Sequence, residues 1–331
     1  MKKHLSLIFV LVVTTGLPAG AQLVFPDATV QSTAGITFDR VKVIHSDGSS
    51  TANGTTLRNE LVAQASSQTA DVLLLEPGTY DIGSTALNMV NFVNIRGFGE
   101  NNTYITGNGS TVINGANFME IRDLHISGSG DASIVIFQDG SYMELINTSV
   151  QHNGNGTGVN FGVVVVNGGE IELTSSDIFF FQTGNSGSFT GFRIVGEGGG
   201  NFSEGTMSNS FIEISDDSGT MTLVALSVGN GATVPAMDES VSIEIFGGII
   251  AAEGGSSNTA IFIDTDAEVF LSGACVETDG AALDNDGLCG ALNSIFDGTR
   301  GGGGTTIYSQ CTAILGSSSA APIIDSQTAV P

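Results

Sequence analysis

The sequence predicts an all-β protein wound as a parallel solenoid, and three observations carry that reading. The composition of the 331 residues is that of strands and turns, with 46 Gly, 13% charged residues and no Trp. Short runs alternate apolar and polar residues and are separated by Gly, Asn or Asp, the punctuation of short strands. The runs also recur as a loose repeat: "FVNIRGFGENNTYITG" from Phe92, "FMEIRDLHISG" from Phe118, "YMELINTSVQHNG" from Tyr142, "EIELTSSDIFFFQ" from Glu170, "GTMSNSFIEISD" from Gly205, "VSIEIFGGIIAAEGG" from Val241 and "EVFLSGACVETDG" from Glu268. Most start roughly 24 to 38 residues apart, a spacing that signals a repeat architecture.

Each phrase alternates for four or five positions, breaks at a small or polar residue and resumes as a second strand. The intervals hold a third, such as "ASIVIFQDG" from Ala132 or "TAIFIDTD" from Thr259. Three bent strands per repeat, stacked on the repeat before at about 4.8 Å, would line Val, Ile, Leu and Phe into inward columns and give most of the 19 Phe a structural use. A β-sandwich would also give short strands, but the hairpin turn pairs it needs are not systematic.

Taken from the N-terminus, residues 1–21 read as an export signal: Lys2 and Lys3, the apolar "LSLIFVLVV", and "AGA" before Gln22. The apolar run is short for a membrane span, and no later run reaches about 18 apolar residues. Secretion, to the medium, the cell surface or the periplasm, is the expected localisation. Loss of the signal leaves 7 basic against 34 acidic residues, which excludes a nucleic-acid partner for want of a Lys/Arg footprint. Residues 22–54 form a connector. Thr55–Gln68 has helical spacing, with Thr55 or Thr56 as N-cap and Leu57, Leu61 and Val62 on one face, and is expected to lid the exposed end of the first coil. The solenoid, helix included, is expected over 55–298, and residues 299–331 as a Gly/Ser-rich tail or a cover for the last coil.

"TTLRNELVAQAS" followed by "DVLLLEPGTYDIGSTALNMVNFVNIRGFGENNTYITG" resembles the opening of the pectin lyase-like superfamily, which implies a right-handed parallel β-helix with an N-terminal capping helix. The match is specific over about 55 residues and architectural beyond them. The superfamily holds lyases, hydrolases, esterases, tailspikes and adhesins, so the fold does not choose a function. "LVFPDATVQSTAG" (Leu23 to Gly35) is similar to a phrase of phage tail fibres and exported surface proteins, with Ala28 in place of the usual Gly. It pulls the expectation toward a displayed structural protein.

Candidate chemistry is sparse. "SDDSG" offers Asp216 and Asp217, and Arg193 is a coil-borne cation, but adjacent strand residues point to opposite faces, and the companion phrases of the superfamily's hydrolases are absent. Arg96 and Arg122 recur in "NIRG" and "EIRD" and are read as stacked partners of Glu120 and Asp123. His125 and His152 lie on consecutive coils and could be neighbours, with a surface or turn role expected for each. Asp279, Asp284 and Asp286 suggest calcium, the one cofactor these residues admit, though the twelve-residue loop pattern fails at Ala282 and Asn293. Cys275, Cys289 and Cys311 match no zinc spacing; a Cys275–Cys289 disulfide is the expected pairing. The resulting expectation is an exported structural or binding β-helix without catalysis, whose partner is an extracellular polysaccharide or cell-surface component. The competing expectation is a polysaccharide lyase or glycoside hydrolase. The sequence leaves oligomeric state open.

Overall fold

A computed structural model describes residues 40–154, 157–182, 186–196, 202–229, 241–303, 305–309, 313–315 and 323–325, together with the strand pairs 23–24 and 30–31. The export-signal segment lies outside the described residues. In the unit that precedes Arg40, Leu23–Val24 pairs antiparallel with Val30–Gln31.

From Arg40 onward the chain is a right-handed parallel β-helix with one helix at its N-terminal end. Every coil contributes to up to three parallel sheets. The first sheet stacks Val41–Ile44, Val72–Leu75, Asn94–Arg96, the front of Met119–Gly128, the front of Tyr142–His152, Glu170–Thr174, Glu204–Ser208, Val241–Phe246, Ala267–Ser272 and Leu288–Leu292. The second stacks Gly78–Asp81, Thr103–Gly107, the rear of Met119–Gly128 and of Tyr142–His152, Asp177–Gln182, Phe211–Asp216, Ile249–Glu253 and the front of Cys275–Asn285. The third runs from Leu87–Asn88 through Ile134–Asp139, Val159–Val166, Ser188–Ile194 and Thr222–Val228 to Ser257–Ile263. Because strand side chains alternate between faces, one set fills the bore. Leu73, Ile95, Ile121, Leu145, Leu173, Met207, Ile245 and Leu271 are all 2% exposed or less.

The bend from first to second sheet is made by one residue in the left-handed region on coil after coil: Asp123 (φ 56°), Asn147 (47°), Ser175 (48°), Asn209 (48°), Gly247 (74°), Gly273 (70°) and Asn293 (49°). Asn, Asp and Gly tolerate that conformation best. The next residue turns inward, and where it carries a hydroxyl it ties coils together. Ser176 Oγ donates to the Leu145 carbonyl (3.0 Å) and accepts the Thr148 amide (3.1 Å); Ser210 Oγ donates to Leu173 (3.1 Å) and accepts the Ser176 amide (3.1 Å). The ladder is interrupted at Gly248, where an added Cβ would sit 2.0 Å from the Ser210 carbonyl oxygen, and at Ala274, and it resumes at Ser294, whose Oγ accepts the Ala274 amide at 3.3 Å.

The helix spans Ser50–Ser66 and is capped by Ser49, whose hydroxyl accepts the Ala52 amide at 3.3 Å. It thus begins before the expected Thr55, because Thr55 and Thr56 instead bond back to the Thr51 and Ala52 carbonyls (2.8 and 3.0 Å). Leu57 and Leu61 are buried as expected, but Val62 is 66% exposed. Close seating on the first coil is allowed by Gly54, where a Cβ would meet the Asp81 carbonyl oxygen at 2.0 Å. The role of "VLLLEPGTY" is local, since Leu73, Leu75 and Tyr80 are buried and Tyr80 Oη donates to the Ile44 carbonyl at 2.9 Å.

Two expectations are revised. Residues 299–331 are not wholly a tail: Ile295–Gly301, Thr305–Ser309, Ala313–Leu315 and Ile323–Asp325 continue the parallel pairing. Phenylalanine is also less a core residue than expected. Phe180, Phe189, Phe192 and Phe296 are fully buried, while Phe92, Phe98, Phe118, Phe181, Phe202, Phe211, Phe246 and Phe270 are exposed. No described helix is long and apolar enough to cross a membrane.

Ser176→Ala removes one donor and one acceptor that link its coil to the one before, leaving a buried carbonyl and amide without that partner. The expected loss is about 1–3 kcal/mol, read as a lower urea midpoint with an unchanged slope. Ser84→Ala, at an exposed turn residue, is expected to stay within about 0.5 kcal/mol.

Candidate functional site

The outer face of the second sheet carries the densest set of chemically capable side chains. Two positions after the bend, each coil points a side chain outward, and register stacks these into one column: Tyr104, His125, Ser149, Asp177, Phe211, Ile249 and Cys275. Two residues further on, Ser127, Gln151, Phe179, Glu213, Ala251 and Glu277 form the neighbouring column. Coil spacing of about 4.8 Å brings residues distant in sequence into contact. Ser149 Oγ lies 3.0 Å from Nδ1 of His125, and the Tyr104 and His125 rings stand 5.6 Å apart.

The bend between Asn94–Arg96 and Thr103–Gly107 is not a single residue but a loop, and its Glu100 and Asn101 wall a groove of about 270 Å³ with His125, Ser149, Gln151, Asp177, Phe179 and Phe181. On the following coils of the same face a larger depression of about 640 Å³ is lined by Glu213, Ser215, Asp217, Glu253, Glu277 and Asp279, among others. Phe179 and Phe181 stack at 5.7 Å, and Phe181 stays 47% exposed.

Electrostatics single out Asp177. Burial, then the negative charges of Glu100 and Glu213, push its carboxyl up to about 6. Burial pulls the His125 imidazole down, against a hydrogen bond to Gln151 that pulls it up. A half-buried carboxyl that titrates at about 6, beside further carboxylates and an imidazole held low, can exchange protons and hydrogen-bond a ligand.

The residues singled out from sequence fall elsewhere. Asp216 is fully buried at the following corner and accepts from Ser218 Oγ (2.6 Å), Ser218 N (3.0 Å), Thr220 N (3.0 Å) and Met221 N (2.9 Å). Burial raises its pKa, but these donors outweigh it and hold the carboxylate low; it shapes a turn. Asp217 faces outward at the groove's edge. Arg193 is not near either aspartate's groove: it lies on the third sheet with its guanidinium 5.5 Å from the Phe161 ring centre, and burial lowers its pKa. Arg96 and Arg122 do pair with Asp123 (3.2 Å each), and Arg122 with Glu120 (3.2 Å).

His125 and His152 are not neighbours in function. His125 faces the groove, whereas His152 points into the bore at 0% exposure, beside the stacked rings of Phe180 and Phe189. Its Nδ1 accepts the Gly154 amide (3.0 Å), and its Nε2 lies 2.8 Å from Ser133 Oγ. Burial, opposed by a hydrogen bond to the Gly130 backbone and by the charge of Asp131, drives it down to about 4. The surface role expected for His152 is thereby corrected.

The calcium candidates do not converge. Asp279 accepts the Gly254 amide (3.1 Å) and the Asn258 side-chain amide at the corner. Asp284 and Asp286 lie past it on the third-sheet side, where burial and then Asp286 raise Asp284. Among the described residues no group of three His, Cys, Asp or Glu is placed to hold a metal. Cys275 and Cys289 are both free thiols rather than a disulfide. They belong to different sheets: Cys289 is buried in the bore, which pushes it up to about 12, and Cys275 lies outward on Glu277, 3.0 Å away. Cys311 lies outside the described residues.

No protein-family model and no curated protein sequence matches the chain. Among solved structures, it is similar to the A-module of the mannuronan C-5 epimerase AlgE6 of Azotobacter vinelandii, at 14% identity and TM-score 0.49 over 84% of each chain. It is also similar to the A-module of AlgE4 from the same organism (16%, TM-score 0.37, 86% of this chain and 94% of that one). A third similarity is to the catalytic domain of a GH87 α-1,3-glucanase in complex with nigerose (14%, TM-score 0.33, 88% and 67%).

Asp177 and His152 titrate with opposite consequences for stability. The raised carboxyl of Asp177 loses stability as pH rises from about 4 through about 6. Asp177→Asn is therefore expected to exceed the parent by about 1–2 kcal/mol at pH 7, a range reduced for the solvent screening of a half-exposed group, and to match it below about pH 4. The depressed imidazole of His152 loses stability as pH falls from about 6.5 toward 4, a component of roughly 2–3 kcal/mol that His152→Gln should abolish. Urea midpoints of each variant against the parent across that range measure both.

Proposed function

We propose that the protein is an exported carbohydrate-binding β-helix that holds an extracellular polysaccharide along the outer face of its second sheet. The observation that carries this reading is the groove itself. Two depressions follow one another across the strands of this face, the groove lined by Glu100, His125, Ser149 and Asp177 and the larger one lined by Glu213 and Glu277, so a polymer laid over both meets one coil every 4.8 Å or so, a pitch suited to successive sugar rings. Ser149, Gln151 and His125 supply hydrogen-bonding groups at fixed positions, and Phe179 and Phe181 supply apolar surface for the ring faces, the mixture typical of sites that orient a ligand.

A second reading, favoured by the raised carboxyl of Asp177, is hydrolysis of the bound chain. Glycoside cleavage uses one protonated and one ionised carboxyl group flanking the scissile bond. Asp177 would protonate the leaving oxygen, and Glu100 or Glu213, whose charges already act on it, would activate water or attack the sugar.

Affinity electrophoresis against a panel of soluble polysaccharides tests the binding reading. Retardation by at least one polymer is expected, reduced about tenfold or more in affinity by the double change Gln151→Ala, Phe179→Ala. No retardation across the panel sinks it. Reducing-end release by the parent, lost in Asp177→Asn while retardation persists, would establish cleavage.

A further inference from the structure

We infer that the polysaccharide this groove takes is a polymer of amino sugars carrying free amines, an inference that rests on the carbohydrate-binding reading above. Glu100 and Asp177 line the first depression and Glu213, Asp217, Glu253 and Glu277 the second, and among the described residues no Lys or Arg lines either. The cations whose side chains are described are committed elsewhere. Arg96 and Arg122 serve Asp123 and Glu120 on the first sheet, and Arg193 lies over Phe161 on the third. Around the helix, Arg40 and Lys42 pair with Asp71 and Glu60, and Arg58 donates to the Ile82 and Thr85 carbonyls.

Three classes of polymer are distinguished by what they would bring into this field. A uronate chain brings a carboxylate with every sugar and finds no cation to receive it, so like charges oppose binding. A neutral chain covers the stacked carboxylates without compensating them, which costs desolvation at each. An aminoglycan with free amines brings one ammonium per sugar, and each can reach carboxylates on the coil beneath it or the next, forming charge-assisted hydrogen bonds while relieving the repulsion among Glu100, Asp177 and Glu213. The stacked pair of half-buried Phe179 and exposed Phe181 makes this more than an acidic surface, because it offers an apolar contact that a simple cation does not need. Hydroxyls of the same sugars find Ser149 and Gln151.

Isothermal titration of the full chain with a glucosamine hexamer, an N-acetylglucosamine hexamer and a galacturonate hexamer decides it. The expected result is one-to-one binding of the glucosamine hexamer, at least about tenfold tighter than either other ligand and weakened by salt, since charge pairs at a surface are screened. Asp177→Asn with Glu213→Gln should weaken it about tenfold or more. Glu172→Gln with Glu204→Gln, on the first sheet, should change it less than about twofold. Equal or tighter binding of the N-acetylated or galacturonate hexamer overturns the amine inference while leaving the carbohydrate reading standing. If the first-sheet pair weakens binding as much as the groove pair, the attraction is only net charge, and the inference is again overturned. Absence of binding to all three, in a protein whose far-ultraviolet spectrum is that of the folded chain, overturns the inference; the polysaccharide panel then decides the reading beneath it separately.

Discussion

The structure depends on one repeated bend. A chain that must pass from one flat sheet to the next within a single residue needs a backbone conformation that costs most L residues energy, and this chain meets the requirement at Asp123, Asn147, Ser175, Asn209, Gly247, Gly273 and Asn293. The bend turns the following residue inward, where Thr148, Ser176 and Ser210 convert an otherwise unsatisfied corner into a ladder of hydrogen bonds between coils. Register is what this arrangement secures. In a strand with side-chain period two, a slip of one residue would exchange bore and surface along the whole coil, and a hydroxyl that must reach the carbonyl of the previous coil does not tolerate the slip.

Register in turn makes the candidate site. Counting two residues on from each bend gives His125, Ser149 and Asp177 as a column, which is how groups 24 and 28 positions apart come to lie on adjacent strands. The same count explains the fate of the two histidines. His125 sits two positions past Asp123 and faces out; His152 sits five past Asn147 and faces in, where burial beside Phe180 and Phe189 keeps it neutral. On the coil of Arg96 the bend is replaced by a longer loop, and Glu100, carried on that loop, is both a wall of the groove and the stronger of the two charges acting on Asp177.

Much of the fold is readable in the sequence because it is written in local signals. The repeat phrases, the lid helix and the turn after "LLLEPG" each depend on residues close in the chain, and the Arg96–Asp123–Arg122 stacking follows from two similar phrases one coil apart. The N-cap is less legible, because threonines that resemble caps at Thr55 and Thr56 can equally bond back within a helix, and Ser49 begins it one and a half turns earlier. The site escapes a reading of the sequence for a different reason. Asp216 and Asp217 attract notice as an adjacent pair, whereas Asp177 and His125 are inconspicuous until the coils are aligned. The signal is present in "RDLHIS", "INTSVQ" and "SSDIFF", where bend, inward residue and outward residue recur in step, but it becomes visible only once the residue that makes the bend is known. The expected Cys275–Cys289 pairing fails on the same point, since the two thiols belong to different sheets and one faces the bore.

The contrast between two aspartates states where function is to be sought. Asp216 is wholly buried yet collects four hydrogen bonds from a hydroxyl and three amides, and its carboxylate is held below the usual range; its burial is compensated locally and serves the turn. Asp177 is less buried, its pKa is set by burial and two like charges with no hydrogen bond opposing them, and its carboxyl rises to about 6. A solenoid offers easy remedies for such a cost, because a neutral residue at 177 would remove the repulsion, and one at 100 or 213 would lessen it, without touching the bore or the bend. A column that retains a destabilised carboxyl beside a neutral imidazole, on the face with the groove and exposed aromatic rings, is therefore the part of the molecule whose arrangement the fold does not require. Packing in the coil accounts for the buried Asp216, His152 and Cys289, but not for Asp177, whose raised carboxyl lies on the face proposed to bind.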